Sequence, residues 1–293
     1  MADSPCFGTG FTVRTMTADE VALAIDWAAR EGWNPGLHDA QSFRVADPNG
    51  FFVGEWRGEP VGSISAVAYD DHFGFIGLYI VKPEFRGKGL GLRIWQHAIA
   101  YLGPRNIGLD GVVQQQANYR KSGFQLAYRN IRFQGLAQTQ MPNPVSASQT
   151  IDVSNLTDVS FEQLAAYDRQ FFLMSRAAFL RAWIAQPGAV ALAAIIEGRM
   201  RGYGVLRLCR EGRKIGPLFA DTEAIAEQLF GALTAQCHGE TVALDVPETN
   251  STAIALAERH GMTRVFETAR MYTGVPPDTP IERLFGVTTF ELG

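Results

Sequence analysis

The sequence predicts an α+β fold of two tandem, related domains, each a sheet flanked by helices. Three observations carry that expectation. From Phe11 onward, runs with strand-like alternation take turns with runs of helical periodicity. Residues 136–150, LAQTQMPNPVSASQT, lose apolar periodicity and gain Pro, Gln and Ser, as interdomain linkers do. The same order of landmarks then recurs on both sides of that stretch. A chain of 293 residues also exceeds the roughly 100–150 residues of one typical domain.

In the first half FTVRTM reads as a strand and residues 18–31 as an amphipathic helix. FFVGEW, the turn RGEP and VGSISAVAY read as a hairpin. FGFIGLYIV (73–81) is apolar on both faces and is expected to be a central strand, followed by a glycine-rich loop and a helix through Leu102. NIGLDGV reads as a strand, residues 114–121 as a short helix, and Phe124 as the start of a strand pair. The second half offers helical segments over 160–184, the hairpin AVALAAIIEGRMRGYGVLRL, a short strand KIGPLFA, helix DTEAIAEQLFGAL, strand TVALDV and helix STAIALAERH. The tail FGVTTFELG (285–293) is apolar enough to dock as a final strand.

The repeat is sharpest near the end of each half. Leu109-Asp110, Gly123-Phe124 and Arg132-Phe133 are matched by Leu244-Asp245, Gly261-Met262 and Arg270-Met271, offset by 135 residues at the first pair and 138 at the others. The expected division is a tail over 1–10, a first domain over 11–135, a linker over 136–150, a second domain over 151–274 and a tail over 275–293.

Composition narrows the function classes. The formal net charge is −4, so no overall basic field gathers nucleic acid or acidic lipid, and neither is expected as a partner. Three scattered cysteines make no disulfide framework, and no CxxC or HExxH marks a metal site, so no metal is expected. Without a signal-peptide pattern or an apolar run near the roughly 20 residues that span a bilayer, the expected location is the cytoplasm. The basic residues Arg199, Arg201, Arg207, Arg210, Arg213 and Lys214 alternate along a hairpin and read as mostly a solvated face.

The sharpest chemical signal is VKPEFRGKGLG at 81–91. Glycines before a helix let unpaired amides and the positive helix end approach an anion such as phosphate, and two cations share this turn. Leu92 breaks a dinucleotide GxGxxG pattern, and no Lys-Ser or Lys-Thr closes a Walker loop.

The loop resembles that of the GCN5-related N-acetyltransferases (GNAT), written Arg/Gln-x-x-Gly-x-Gly/Ala and met here by Arg86, Gly89 and Gly91. The resemblance covers roughly residues 11–135. The loop EGWNPGLHD, the LDGV strand and the NYRKSGF helix together also resemble a two-domain branch of that superfamily with a C-terminal acetyltransferase-like domain. The resemblance implies tandem domains, each with a mixed, mostly antiparallel central sheet. It also implies acetyl-CoA as cosubstrate, with direct transfer of acetyl to the primary amine of a small molecule. By position, Tyr79, Ile80 and Val81 would face pantetheine, while Arg86, Gly87, Lys88, Gly89, Leu90 and Gly91 would hold the diphosphate. The family pattern Tyr-x-x-x-Gly-Phe is met by Tyr119, Gly123 and Phe124, which makes Tyr119 the expected general acid; an aromatic packing on the sheet is the other reading.

The base stays open. Many relatives carry a glutamate on the fourth strand, but FGFIGLYIV has no carboxylate, leaving Asp70, Asp71, His72, Asp110 or a water chain. Asp245, the equivalent of Asp110, suggests a structural capping role for both. The stretch EGWNPGLHD lies where relatives place an acceptor loop, so Trp33, Asn34 and Asp39, with Asp110, are the candidate acceptor residues. In the second half Asp221, Thr222 and Glu223 stand where the glycine loop would be and Ala257 where Tyr119 would be, so that copy is expected to bind no CoA. The alternative functional reading is a non-catalytic, CoA- or acyl-CoA-responsive binding or regulatory module. An acyl group longer than acetyl fits the same residues.

Overall fold

The computed structural model describes residues 10–138 and 150–293. Nearly all of the expected N-terminal tail and most of the expected linker lie outside the described residues.

Strand β1 (Phe11–Thr15) leads into helix α1 (Ala18–Arg30) through a capping box. Thr17 accepts from the Glu20 amide, and the Glu20 side chain accepts from the Thr17 amide. Helix α1 buries Val21, Ala24, Ile25, Trp27 and Ala28 along one stripe. The NPG stretch after it leads into a one-and-a-half-turn helix, α2 (Asp39–Arg44), which the sequence had not suggested. Strands β2 (Phe51–Trp56), β3 (Glu59–Ala68) and β4 (Phe73–Val81) form an antiparallel meander. Helix α3 (Leu90–Leu102) returns the chain so that β5 (Asn106–Val112) pairs with β4 in parallel. A short helix α4 (Gln116–Lys121) precedes one continuous strand, β6 (Gln125–Leu136), where a strand pair was expected.

The second half repeats the plan. Strand β7 (Asp152–Asn155) is followed by two helices, α5 (Phe161–Asp168) and α6 (Ala177–Ile184), within the helical stretch expected. Strands β8 (Val190–Ile196), β9 (Arg199–Leu208) and β10 (Arg213–Ala220) form the meander. Helix α7 (Glu223–Thr234) leads to β11 (Thr241–Pro247), parallel to β10. Helix α8 (Ser251–Arg259) leads to β12 (Thr263–Tyr272).

The two copies are joined through one sheet in the order β1-β2-β3-β4-β5-β12-β6-β11-β10-β9-β8-β7. Each copy's last strand is lent to the other: β12 lies against β5, and β6 lies against β11. The repeated Asp and Arg landmarks explain the seam. Asp110 on β5 sits opposite Arg270 on β12, and Asp245 on β11 opposite Arg132 on β6. Both pairs are bidentate, with Arg132 Nε and Nη2 at 2.6 and 2.8 Å from the Asp245 oxygens and Arg270 Nε at 2.9 Å from Asp110 Oδ1. Asp110 and Asp245 are therefore halves of buried cross-copy ion pairs, not helix or strand caps.

The basic cluster of the second hairpin departs from its expectation at two of six positions. Arg207 and Lys214 are buried. Arg207 is bonded to both Asp39 oxygens under the Trp183 ring, and Lys214 Nζ donates to the Asn34 carbonyl at 3.1 Å. Burial, followed by the neighbouring Arg132 charge, pushes the Lys214 ammonium below its ordinary range.

After β12 the chain turns into a three-residue strand, β13 (Leu284–Gly286), which pairs antiparallel with β10. The expected final strand is thus short, and residues 287–293 continue as buried irregular chain.

Candidate active site

Strands β4 and β5 pair only as far as Ile76 opposite Leu109, although β4 runs on to Val81 and β5 to Val112. The parting begins at a bulge. Leu78 sits at φ 47°, a left-handed conformation that costs a branched residue about 1–2 kcal/mol, and the register with β3 slips between Ser63 and Ser65. The carbonyl this frees is not orphaned, because Ser63 Oγ donates to Leu78 O at 2.8 Å. The widening gap is a cavity of about 720 Å³.

At one end of the cavity lies the glycine turn. Gly87 and Gly89 have φ of 73° and 77°, with no atom near where a Cβ would stand, so glycine is used there for its backbone freedom. Gly91 is glycine for a different reason: a Cβ would lie 2.7 Å from the Tyr79 hydroxyl. Gly89 is the N-cap of α3 and supplies no side-chain cap, which leaves the first-turn amides unbonded by any cap side chain. Arg86 is fixed by an Nε bond of 2.7 Å to Val81 O and an ion pair with Glu31.

Beside β5 is Tyr119, whose ring lies against Gly111 so closely that a Cβ there would be 2.1 Å from it. Trp95 flanks the ring at 5.6 Å. Burial, with a smaller contribution from Tyr79, raises the Tyr119 phenol above its ordinary range, so at neutral pH it holds its proton. Tyr79 is pushed up to about 12 by burial alone.

The cavity thus brings together Tyr79, Ile80, Val81, Arg86, Gly87, Gly89 and Gly91 with Tyr119, Trp33 and Asp110. It leaves out four expected site residues. Leu90 is buried in the core under α3, and Lys88 stands over the Phe85 ring. Asn34 is tied to the backbone of Glu211 at both ends of its amide, and Asp39 is spent on Arg207 and the Gly36 amide. These two hold the loop to the second copy. Of the candidate bases, Asp70 caps its own turn, accepting from the His72 and Phe73 amides, and Asp71 and His72 stand beside it at the start of β4. None of the three lines the cavity. Asp110 lines it, but Arg270 and Asn130 occupy its oxygens.

Sequence reading missed three walls, Phe266 and Thr268 on β12 and Phe290-Glu291 from the C-terminal segment. One signal for the segment was present. Ile76-Gly77 and Ile215-Gly216 recur at an offset of 139, at the point in each copy where the parallel pair parts. A Cβ on Gly216 would meet Thr288 O at 2.5 Å, and one on Gly77 would meet Glu291 O at 2.1 Å. Both glycines make way for the same passing chain.

In the second copy the cleft is filled. Strand β13 pairs with β10 beyond the parting point, and the Val287 amide donates to Asp245 O on β11 at 2.8 Å. Thr222 caps α7 by accepting from the Ile225 amide, and Asp221 is held by Arg201 and Arg283. Ala257 is buried without a polar group to offer.

A parted strand pair with an uncapped glycine turn in one copy, and the same gap closed in the other, defines a tandem acyltransferase fold. The comparisons agree. Residues 19–124 match the model of the acetyltransferase (GNAT) family and residues 164–286 that of an acetyltransferase (GNAT) domain. The chain belongs to the GNAT superfamily and carries a second, C-terminal GNAT-like domain. It is 31% identical over 284 residues to the holothin acyltransferase of Pseudoalteromonas sp. (strain SANK 73390), covering 97% of this chain and 95% of that one. The crystal structure of a putative acetyltransferase from Pyrococcus horikoshii superposes with a TM-score of 0.78 at 22% identity, covering 100% of this chain and 99% of that one. A tandem GNAT protein from the clavulanic acid biosynthesis pathway gives 0.64 at 14%, covering 91% and 99%. These two likenesses concern the fold.

Proposed function

We propose that the chain is an acetyl-CoA-dependent N-acetyltransferase that passes acetyl directly to a primary amine of a small molecule. The observation that carries this reading is the cavity between β4 and β5, open at a glycine turn and walled by a protonated tyrosine. Acetyl-CoA, as substrate, supplies an activated thioester. The backbone of Tyr79, Ile80 and Val81 is free of β5 and offers strand-like pairing to the pantetheine amides. The amides of the 86–91 turn meet the diphosphate, with Arg86 exchanging Glu31 for phosphate. Tyr119 gives its proton to the departing sulfur. Trp33 forms part of the wall for the acceptor. The second copy, its gap filled by β13, leaves one cosubstrate site per chain. Buried free thiols at Cys209 and Cys237 accord with a reducing, cytoplasmic setting.

The test is calorimetric titration with acetyl-CoA and longer acyl-CoAs, beside thiol release over a panel of amines that includes holothin, the acceptor in the relative's name. Saturable binding with amine-dependent thiol release is expected. Tight binding without release for any acceptor would favour a CoA-responsive module instead.

A further inference from the structure

We infer that Glu291, carried into the cavity by the C-terminal segment, is the proton acceptor for the incoming amine. This rests on the acyltransferase reading above.

Three carboxylates line the cavity: Glu31, Asp110 and Glu291. Glu31 stands beside Arg86 at the glycine turn, the end assigned to phosphate and away from the thioester. Asp110 is fully buried and closed off by Arg270, Asn130 and Thr268. Glu291 forms no ion pair among the described residues; its Oε2 accepts from the Thr289 hydroxyl, which leaves Oε1 without a protein donor there. The residue is only 6% exposed and lines the cavity, and among the described residues no protein cation stands on its second oxygen. Arg132 and Arg207 lie near enough to feel its charge without touching it.

Its position along the cleft fits the task. The Glu291 backbone packs on Gly77, where β4 leaves β5, and the glycine turn begins beyond Val81. Four residues of strand, roughly 13 Å, separate the two points. A pantetheine arm laid along Tyr79–Val81 therefore carries its thioester toward Glu291. Beside it the walls are Phe266, Phe290 and Thr268, so an approaching ammonium meets aromatic faces and one unpaired carboxylate.

The step balances as follows. Glu291 takes one proton from the ammonium and releases it to water. The freed nitrogen lone pair forms the C–N bond, and the C–S bond breaks with its electron pair on sulfur. Tyr119 protonates that sulfur, and the second proton lost by nitrogen restores the tyrosine through solvent. The products are the amide, CoA thiol and one proton.

The experiment compares wild type, Glu291→Gln and Glu291→Asp with two acceptors, an alkylamine protonated at the assay pH and a weakly basic arylamine already neutral there. For Glu291→Gln, kcat on the alkylamine should fall about 100-fold, within the usual range for a general base. Its activity should return only as pH rises toward the pKa of the amine itself. On the arylamine the loss should be less than tenfold, Asp should restore part of the alkylamine rate, and acyl-CoA affinity and melting temperature should match wild type. Equal losses on both amines, or an unshifted pH profile, would overturn the role of Glu291 while leaving the acyltransferase reading intact. A wild type that turns over neither amine nor any other acceptor would overturn that reading, and this inference with it.

Discussion

Tyr119 is held by two contacts that exclude alternatives: Gly111 admits the ring because it has no Cβ, and Trp95 closes the other face. Removing only its hydroxyl, by Tyr119→Phe, should leave melting and acyl-CoA affinity unchanged and lower kcat about 100-fold in a thiol-release assay. The sign of its pKa shift gives a second expectation. The phenol is raised above its ordinary value of 10.0, so it stays protonated below that pH, and kcat should show no alkaline loss from this group through pH 10. Gly91 is similarly specific. Gly91→Ala drives a methyl against the Tyr79 hydroxyl and moves that ring, so acyl-CoA should bind about tenfold more weakly, a difference of about 1.4 kcal/mol. At this scale the sequence was informative, since the patterns of the resembled family picked out Arg86, Gly89, Gly91 and Tyr119, and all four line one cavity. It misassigned Asn34 and Asp39 because a polar side chain in a loop reads the same whether it meets a substrate or another part of the chain.

Among the elements, α3 and α7 show how one architecture gives an open or a closed helix start. Helix α3 begins on an uncapped glycine, and α7 begins on Thr222, which bonds the Ile225 amide. Thr222→Ala should cost about 1 kcal/mol in denaturant unfolding and leave acyl-CoA binding as it was. This contrast was legible, because glycine and threonine before a helix have different chemistry. The C-terminal segment was legible only as an apolar stretch that docks, and its path was not. Residues 284–293 have neither period of a regular element, and their burial depends on Gly77 and Gly216, which lie far away in sequence. Gly77→Ala places a methyl 2.1 Å from the Glu291 carbonyl, a backbone atom that cannot step aside alone. The segment should leave its groove in that variant, seen as proteolytic cleavage within 287–293 where wild type resists.

For the whole molecule, the repeat was legible and the exchange of strands was not. Strands β6 and β12 carry the same Arg landmark at the same spacing, so each pattern would satisfy its own sheet or the other's, and only three-dimensional pairing chooses. The choice makes the ion pairs a joint between copies. Burial alone would raise the Asp245 carboxyl, but Arg132, with Lys214, holds it below its ordinary 3.8. A carboxyl depressed on folding stabilises above its unfolded pKa, and that contribution fades as pH drops below about 4. Arg132→Ala leaves a buried carboxylate without its ion-pair partner and should cost about 3–5 kcal/mol at neutral pH, measured by denaturant unfolding. The loss should shrink in acid, where Asp245 is neutral in either protein.

The lending of β12 also sets a timetable for synthesis. When β5 leaves the ribosome, its partner strand ends 160 residues further along the message. At roughly 5–20 residues per second, the nascent first half waits about 8–30 s with that edge uncovered. During this interval the open edge of β5 offers a template to any other extended chain, so chaperone capture should be strongest on ribosomes stalled between the codons for Val112 and Tyr272.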